Sequence, residues 1–173
     1  MWASLDGFFE GPDKGLDWFV VDAEFLESAK DMLRSVDTLL FGSATYKHMA
    51  SYWPSAPKDE IADKMNNLPK IVFSKSLDKA EWNNSLLVKN NAAEEISKLK
   101  QQPGKDMVIL GSAALASFLL QQGLIDEYRV ILTPILIGAG NPLFPGIQHR
   151  IKLRLQQTKL FKSGVIVLYY QKA

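Results

Sequence analysis

From Asp22 onward, Phe25, Leu26, Ala29, Met32, Leu33 and Val36 recur every three or four residues, the spacing that lines one stripe of an α-helix. Asp22 stands at the start as an N-cap, a residue type whose carboxylate accepts first-turn N–H groups that have no partner in the helix. The period breaks after Val36, and Asp37-Thr38-Leu39-Leu40-Phe41 reads as a buried strand that ends at Gly42. A short helix follows over 45–52, closed by Pro54. Further strands are predicted at Lys70–Phe73, Leu86–Val88, Met107–Leu110 and Tyr128–Leu136, and further helices at 92–102 and 113–122, the last capped by Gly123. Residues 6–17, with three glycines and a proline, and residues 138–146 read as loops. Two last strands, 151–161 and 165–171, flank a hairpin turn at Gly164. Strands alternating with helices, then an antiparallel finish, predict an α/β sheet that is mostly parallel with a mixed C-terminal edge.

The chain of 173 residues shows no repeat or linker, so it is read as a single domain over 1–173. Hydrophobic residues at 47% and charged residues at 23% exclude disordered and fibrous classes. The absence of cysteine excludes disulfides, thiolate nucleophiles and iron–sulfur clusters, and fits a cytoplasmic protein. No apolar run reaches the length of a membrane span, and no export signal opens the sequence, so no membrane partner is expected. A net charge of +1 excludes nucleic-acid binding by bulk charge. The two histidines, His48 and His149, lie in no metal-ligand pattern, so no metal is expected. The charge is unevenly spread. Residues 1–31 hold eight acids against Lys14 and Lys30, whereas the chain after Glu127 holds seven bases and no acid.

Two strand–glycine–helix junctions carry candidate chemistry: Phe41-Gly42-Ser43-Ala44-Thr45 and Leu110-Gly111-Ser112-Ala113-Ala114-Leu115. At such a junction the helix-start N–H groups carry partial positive charge, and a missing Cβ lets an anion approach the backbone. A third segment, Ser74-Lys75-Ser76, brings two hydroxyls and an ammonium out of a strand end. Ligands of open α/β sheets collect at the carboxyl ends of strands. Three such segments together point to a nucleotide phosphate site, although neither GxGxxG nor GxxxxGK[ST] is present. Candidate carboxylates are Asp6, Asp17, Asp22, Glu24, Asp126 and Glu127, with Trp18 as core or pocket wall.

The ordered series SLDGFFEGPDKGLDW, LLFGSATY, PKIVFSKSL, ILGSAALASFLLQQGLIDEY and TPILIGAGNPLF resembles the dihydrofolate-reductase-like family, in particular stand-alone relatives of the reductase domain of the riboflavin-biosynthesis deaminase-reductase. The resemblance implies a twisted, mixed but mostly parallel sheet of about eight strands, flanked by helices, that binds NADPH, with NADH as the other dinucleotide. It places Gly42, Ser43 and Thr45 beside the cofactor diphosphate, together with Gly111, Ser112, Ala113 and Leu115, and implies a cis link at Gly111–Ser112. Ser74, Lys75 and Ser76 match the segment that takes the adenosine 2′-phosphate, and Ser43 stands where the family carries an arginine. The 6–17 loop matches the mobile loop over the nicotinamide, giving substrate contacts at Asp6, Trp18 and Tyr46. Asp22 or Glu24 falls near the family's single catalytic carboxylate.

The activity implied is reduction of a C=N or C=O bond in a pyrimidine-, pterin- or ribosylamino-type small molecule, of which 5-amino-6-(5-phosphoribosylamino)uracil is the family's example. The other class is a nucleotide-binding protein that has kept the pocket without turnover. Val130-Ile131-Leu132 and Val165-Ile166-Val167-Leu168 are near-continuous apolar strands; a face left uncovered by the chain predicts a homodimer.

Overall fold

The computed structural model describes residues 1–173. Its elements begin β1 (Trp2–Ser4), β2 (Phe8–Glu10), α1 (Ala23–Ser35), β3 (Val36–Gly42), α2 (Ser43–Tyr52), α3 (Glu60–Asn67), β4 (Lys70–Phe73) and β5 (Ser85–Val88). They continue α4 (Ala92–Leu99), β6 (Asp106–Ile109), α5 (Ala113–Gln121), β7 (Glu127–Thr133), β8 (Asn141–Pro142), β9 (Leu153–Leu160) and β10 (Ile166–Lys172). The chain packs as two compact units, residues 27–115 and residues 1–26 with 116–173. No helix is long and apolar enough to cross a membrane.

In the 27–115 unit, four strands form an all-parallel sheet in the order β5-β4-β3-β6. Their continuous apolar runs are those of strands buried on both faces, and Leu39, Phe41 and Val72 have no exposed surface. Tyr46, Ile61, Met65 and Trp82 close the core on them. The sequence pattern assigns nothing between Pro54 and Pro69, where the structure has α3. Its signal is short, Ile61 and Met65 on one face, and its N-cap Asp59 accepts the Ala62 N–H at 2.8 Å. Lys70, at the start of β4, is buried to 1% exposure; its ammonium donates to the carbonyls of Asn66, Leu68 and Asn83 at 2.8–2.9 Å and lies 4.5 Å over the Trp82 ring.

In the other unit, a mixed sheet runs β1-β7-β10-β9, with β1 parallel to β7 and the remaining pairs antiparallel. Phe161, Val165 and Val167 form its core with Trp2, Phe25 and Ile131 packed against them. β2 and β8 pair as a two-stranded ribbon, so the two stretches read as loops meet each other. β7 ends at Thr133 rather than Leu136, because Pro134 has no N–H to donate and the Ile135 N–H turns back to the Thr133 carbonyl at 2.8 Å. The fold class is the mixed, mostly parallel α/β expected; the strands number ten, in three sheets, rather than about eight. Of the two apolar runs, Val165 and Val167 are core. Register puts Val130, Leu132, Ile166 and Leu168 on one half-buried face with Leu160, which is 69% exposed.

Candidate functional site

β3 and β6 are parallel neighbours with Leu40 opposite Ile109, so both chains leave the sheet at the same end and the two glycine junctions sit side by side. The Gly42 N–H donates to Ser112 Oγ at 2.9 Å. A Cβ on Gly42 would collide with that same hydroxyl oxygen, and one on Gly111 would lie 3.3 Å from Thr45 Cγ2. Gly111 and Ser112 both take positive φ, +71° and +61°, which suits glycine but is unusual for serine. The Gly111–Ser112 link is trans, not the cis expected; the two successive left-handed residues make the turn instead. Ser112, Ala113 and Leu115 are buried at 8%, 4% and 7% exposure, so they face any ligand through backbone.

The start of α2 is open. Gly42 is its N-cap without a capping side chain, and no acid lies in its first turn, so its leading N–H groups keep their partial positive charge. Ser43 and Thr45 are half-buried on that turn. β4 lies on the other side of β3, with Phe73 opposite Gly42, which brings Ser74 out beside the first junction. Ser74 Oγ accepts the N–H groups of Ser76 and Leu77 at 3.2 and 3.1 Å, and this hydroxyl turn presents Lys75 and Ser76 to solvent. The structure thus brings all three sequence segments to one sheet end.

Tyr46 does not join them. Expected at the substrate, it is 4% exposed and packs on Phe41 and Trp82. Its hydroxyl accepts the Trp82 N–H at 2.9 Å. It follows Ser43 by one helical turn on the inward stripe with Met49 and Ala50, and that position carries it into the core.

In the 1–26 and 116–173 unit, the Asp6 carboxylate accepts from Ser4 Oγ at 2.6 Å and from the N–H groups of Gly138 and Ile137 at 2.8 and 3.3 Å. The Ser4 hydroxyl and then these N–H groups hold its carboxyl below the usual range. Asp6 therefore ties the chain after β1 to the chain after β7. Trp18 is half-buried, edge-on to Phe19 at 4.7 Å, and Phe19 stacks on Trp2 at 4.6 Å. The Trp18 indole N–H is buried and meets no acceptor. Asp22 caps α1, accepting the Phe25 N–H at 2.7 Å; that bond lowers its pKa. Glu24 accepts the Lys162 N–H at 3.2 Å through Oε2 alone and is otherwise exposed. Sequence reasoning misses Thr133, which is 1% exposed with a hydroxyl that has no partner; a threonine closing an apolar strand before proline was its only signal.

Residues 1–167 match the RibD C-terminal domain along its pattern. The chain belongs to the RibD C-terminal domain family. Solved structures share its fold. A Shewanella sp. PV-4 protein assigned to riboflavin biosynthesis superposes with a TM-score of 0.79 at 21% identity, covering 100% of this chain and 96% of that one. The Thermotoga maritima diaminohydroxyphosphoribosylaminopyrimidine deaminase/5-amino-6-(5-phosphoribosylamino)uracil reductase gives 0.70 at 15% identity, over 99% of this chain and 55% of that one. Dihydrofolate reductase from Enterococcus faecalis, complexed with NADP(H) and RAB-propyl, gives 0.66 at 18% identity, over 99% and 92%. This RibD C-terminal domain therefore has the dihydrofolate-reductase-like fold.

Proposed function

We propose that the protein is an NADPH-dependent oxidoreductase that reduces a pyrimidine- or pterin-type small molecule, the class to which the uracil substrate of the riboflavin-type reductases belongs. The observation that carries this reading is the pairing of Gly42 with Gly111 at one sheet end, beside the uncapped start of α2. The residues fit a dinucleotide. Cβ-free backbone at Gly42 and Gly111 and the first-turn N–H groups suit a diphosphate, with Ser43, Thr45, Ser112, Ala113 and Leu115 shaping the cradle. Ser74, Lys75 and Ser76 suit a terminal phosphate, Lys75 acting as a point cation. NADPH, when bound, supplies the hydride.

In the 1–26 and 116–173 unit the carboxylates take separate roles. Asp22 is engaged by the Phe25 N–H at the head of α1 and so positions that helix. Glu24, with one oxygen left over, is assigned as the carboxyl that passes the proton. Asp6 fixes the loops and Trp18 walls the substrate. Anaerobic mixing of NADPH with a panel of oxidised pyrimidines and pterins tests the reading. Turnover above background is expected, with Glu24→Gln lowering kcat about 10²-fold or more and Asp22→Asn acting mainly on melting temperature. Tight NADPH binding without turnover on any compound would select the second reading, a cofactor-binding protein, which the capping role of Asp22 and the inward Tyr46 hydroxyl favour.

We also propose a homodimer, in which a second copy covers the face of Val130, Leu132, Leu160, Ile166 and Leu168. Sedimentation at micromolar concentration should give the dimer mass; a monomer only, there and at tenfold higher concentration, would contradict it.

A further inference from the structure

We propose that the substrate taken by this protein is neutral or cationic and carries no phosphate, which sets it apart from the phosphoribosyl compound named for the Thermotoga relative. The proposal rests on the reductase reading and concerns the 1–26 and 116–173 unit. The end of its sheet where β1 and β7 finish is marked by Ser4 opposite Thr133, by Ile166 opposite Leu132 and Leu160, and by the Asp6 bonds to Ile137 and Gly138. The β9–β10 turn also lies there, because the Lys162 N–H meets Glu24 in the first turn of α1.

Three observations bear on what that end can bind. First, a phosphate monoester needs arginine, lysine or a free helix start. Arg150, Lys152, Arg154 and Lys172 lie at or before the first residues of β9 or at the last of β10, paired toward Glu127, about 20 Å from Thr133 at the rise of a strand. Arg129 pairs with Glu127 and covers Tyr169, and the Lys159 ammonium lies over the Phe161 ring. Lys14 and Lys162 remain, against the acids Asp6, Glu10, Asp13, Asp17, Asp22 and Glu24 of the 1–26 segment, of which Asp6, Asp22 and Glu24 are held at that end beside Lys162. Second, the helix start at that end is already filled, since Asp22 takes the Phe25 N–H and Glu24 lies in the first turn. A dianion would meet carboxylates where an anion site needs open N–H groups.

Third, a polar atom there lacks a partner, and it is neutral. Thr133, 1% exposed, shares a face with Ser4, its register partner, and Ser4 Oγ holds Asp6. The Thr133 hydroxyl nevertheless has no hydrogen bond. Buried polar groups are rarely left unmade. A buried hydroxyl that can both donate and accept matches the carbonyl or amino edge of an uncharged heterocycle.

The test uses matched ribosylaminopyrimidines with and without a 5′-phosphate, read by NADPH oxidation and, independently, by quenching of tryptophan fluorescence. The unphosphorylated member should be favoured about tenfold or more at low salt, the ratio shrinking as salt screens the carboxylates. Asp17→Lys, at an exposed position, should narrow the preference by about threefold at low salt. Preferred binding of the unphosphorylated member without NADPH oxidation would retire the reductase reading and leave this one standing. Equal or stronger binding of the phosphorylated member, binding of neither, or no response to Asp17→Lys would overturn it.

Discussion

Gly42→Ala should weaken NADPH binding by about 10²-fold, the size of losing two charge-assisted hydrogen bonds at the diphosphate. The added Cβ falls on Ser112 Oγ, the atom that accepts the Gly42 N–H. The Ser112 hydroxyl must turn away, because its Cβ lies at 3.7 Å from the added atom while its oxygen collides, and in turning it releases the Gly42 N–H. The methyl and the freed N–H then both stand where the diphosphate approaches the paired junctions. Overpacking of this kind also costs about 1–3 kcal/mol of stability. Ser112→Ala alone removes one hydrogen bond, about 1 kcal/mol. The double variant relieves the collision and should recover part of the affinity, giving a coupling term in a double-mutant cycle. Isothermal titration of the three variants checks this; wild-type affinity in Gly42→Ala would show that the cofactor does not lie across the paired junctions.

Lys70→Met should destabilise the 27–115 unit by about 3 kcal/mol, a large share of the stability of an ordinary domain. Methionine fills the same space but donates nothing, leaving the carbonyls of Asn66, Leu68 and Asn83 without their shared ammonium. Two of these belong to the C-terminal turn of α3, where a cation also meets the negative end of the helix dipole. A cleft of about 570 Å³ lined by Lys70, Trp82, Asn83 and Ser85 admits water to that end, which keeps the loss near the low end of the range for broken buried ionic contacts. This cleft lies at the beginnings of β4 and β5, opposite the strand ends that carry Gly42 and Ser74.

The same lysine gives a pH signature. Burial lowers its pKa from 10.5 to about 8, so between those values the unfolded chain binds more protons than the folded one. Stability therefore rises with pH across that window and is flat, for this group, below it. Urea unfolding at pH 7.5, 9 and 10.5 should show the rise in the wild type relative to Lys70→Met. Parallel curves for the two proteins would mean that the ammonium is not desolvated as the structure has it.

Local chemistry carries far in this chain, and most of its failures share one cause. β4 falls on Lys70–Phe73 as its apolar run dictates, and Asp22 caps α1 as its position before the helical stripe requires. The glycine junctions were legible because glycine, strand end and helix start are adjacent in sequence. What was not legible depends on partners far along the chain. Lys70 at a strand start reads as a solvated end; its burial needs carbonyls supplied by Asn66, Leu68 and Asn83. The strands β2 and β8 are three and two residues long, too short for any period to register. Ser112 was visible as a junction residue, but its clamp on Gly42 follows only from the β3–β6 pairing. Tyr46 was misplaced although its stripe with Met49 and Ala50 was there to be read, because a tyrosine one turn into a ligand-facing helix invites a functional role.

NADPH titrated into the isotope-labelled protein, with backbone amide resonances followed, tests the cofactor placement most directly. Saturable shifts are expected at Gly42, Ser43, Gly111 and Ser112 and along Ser74–Ser76. Saturable shifts confined to the residues around Trp82, or none at NADPH concentrations that saturate turnover, would contradict it.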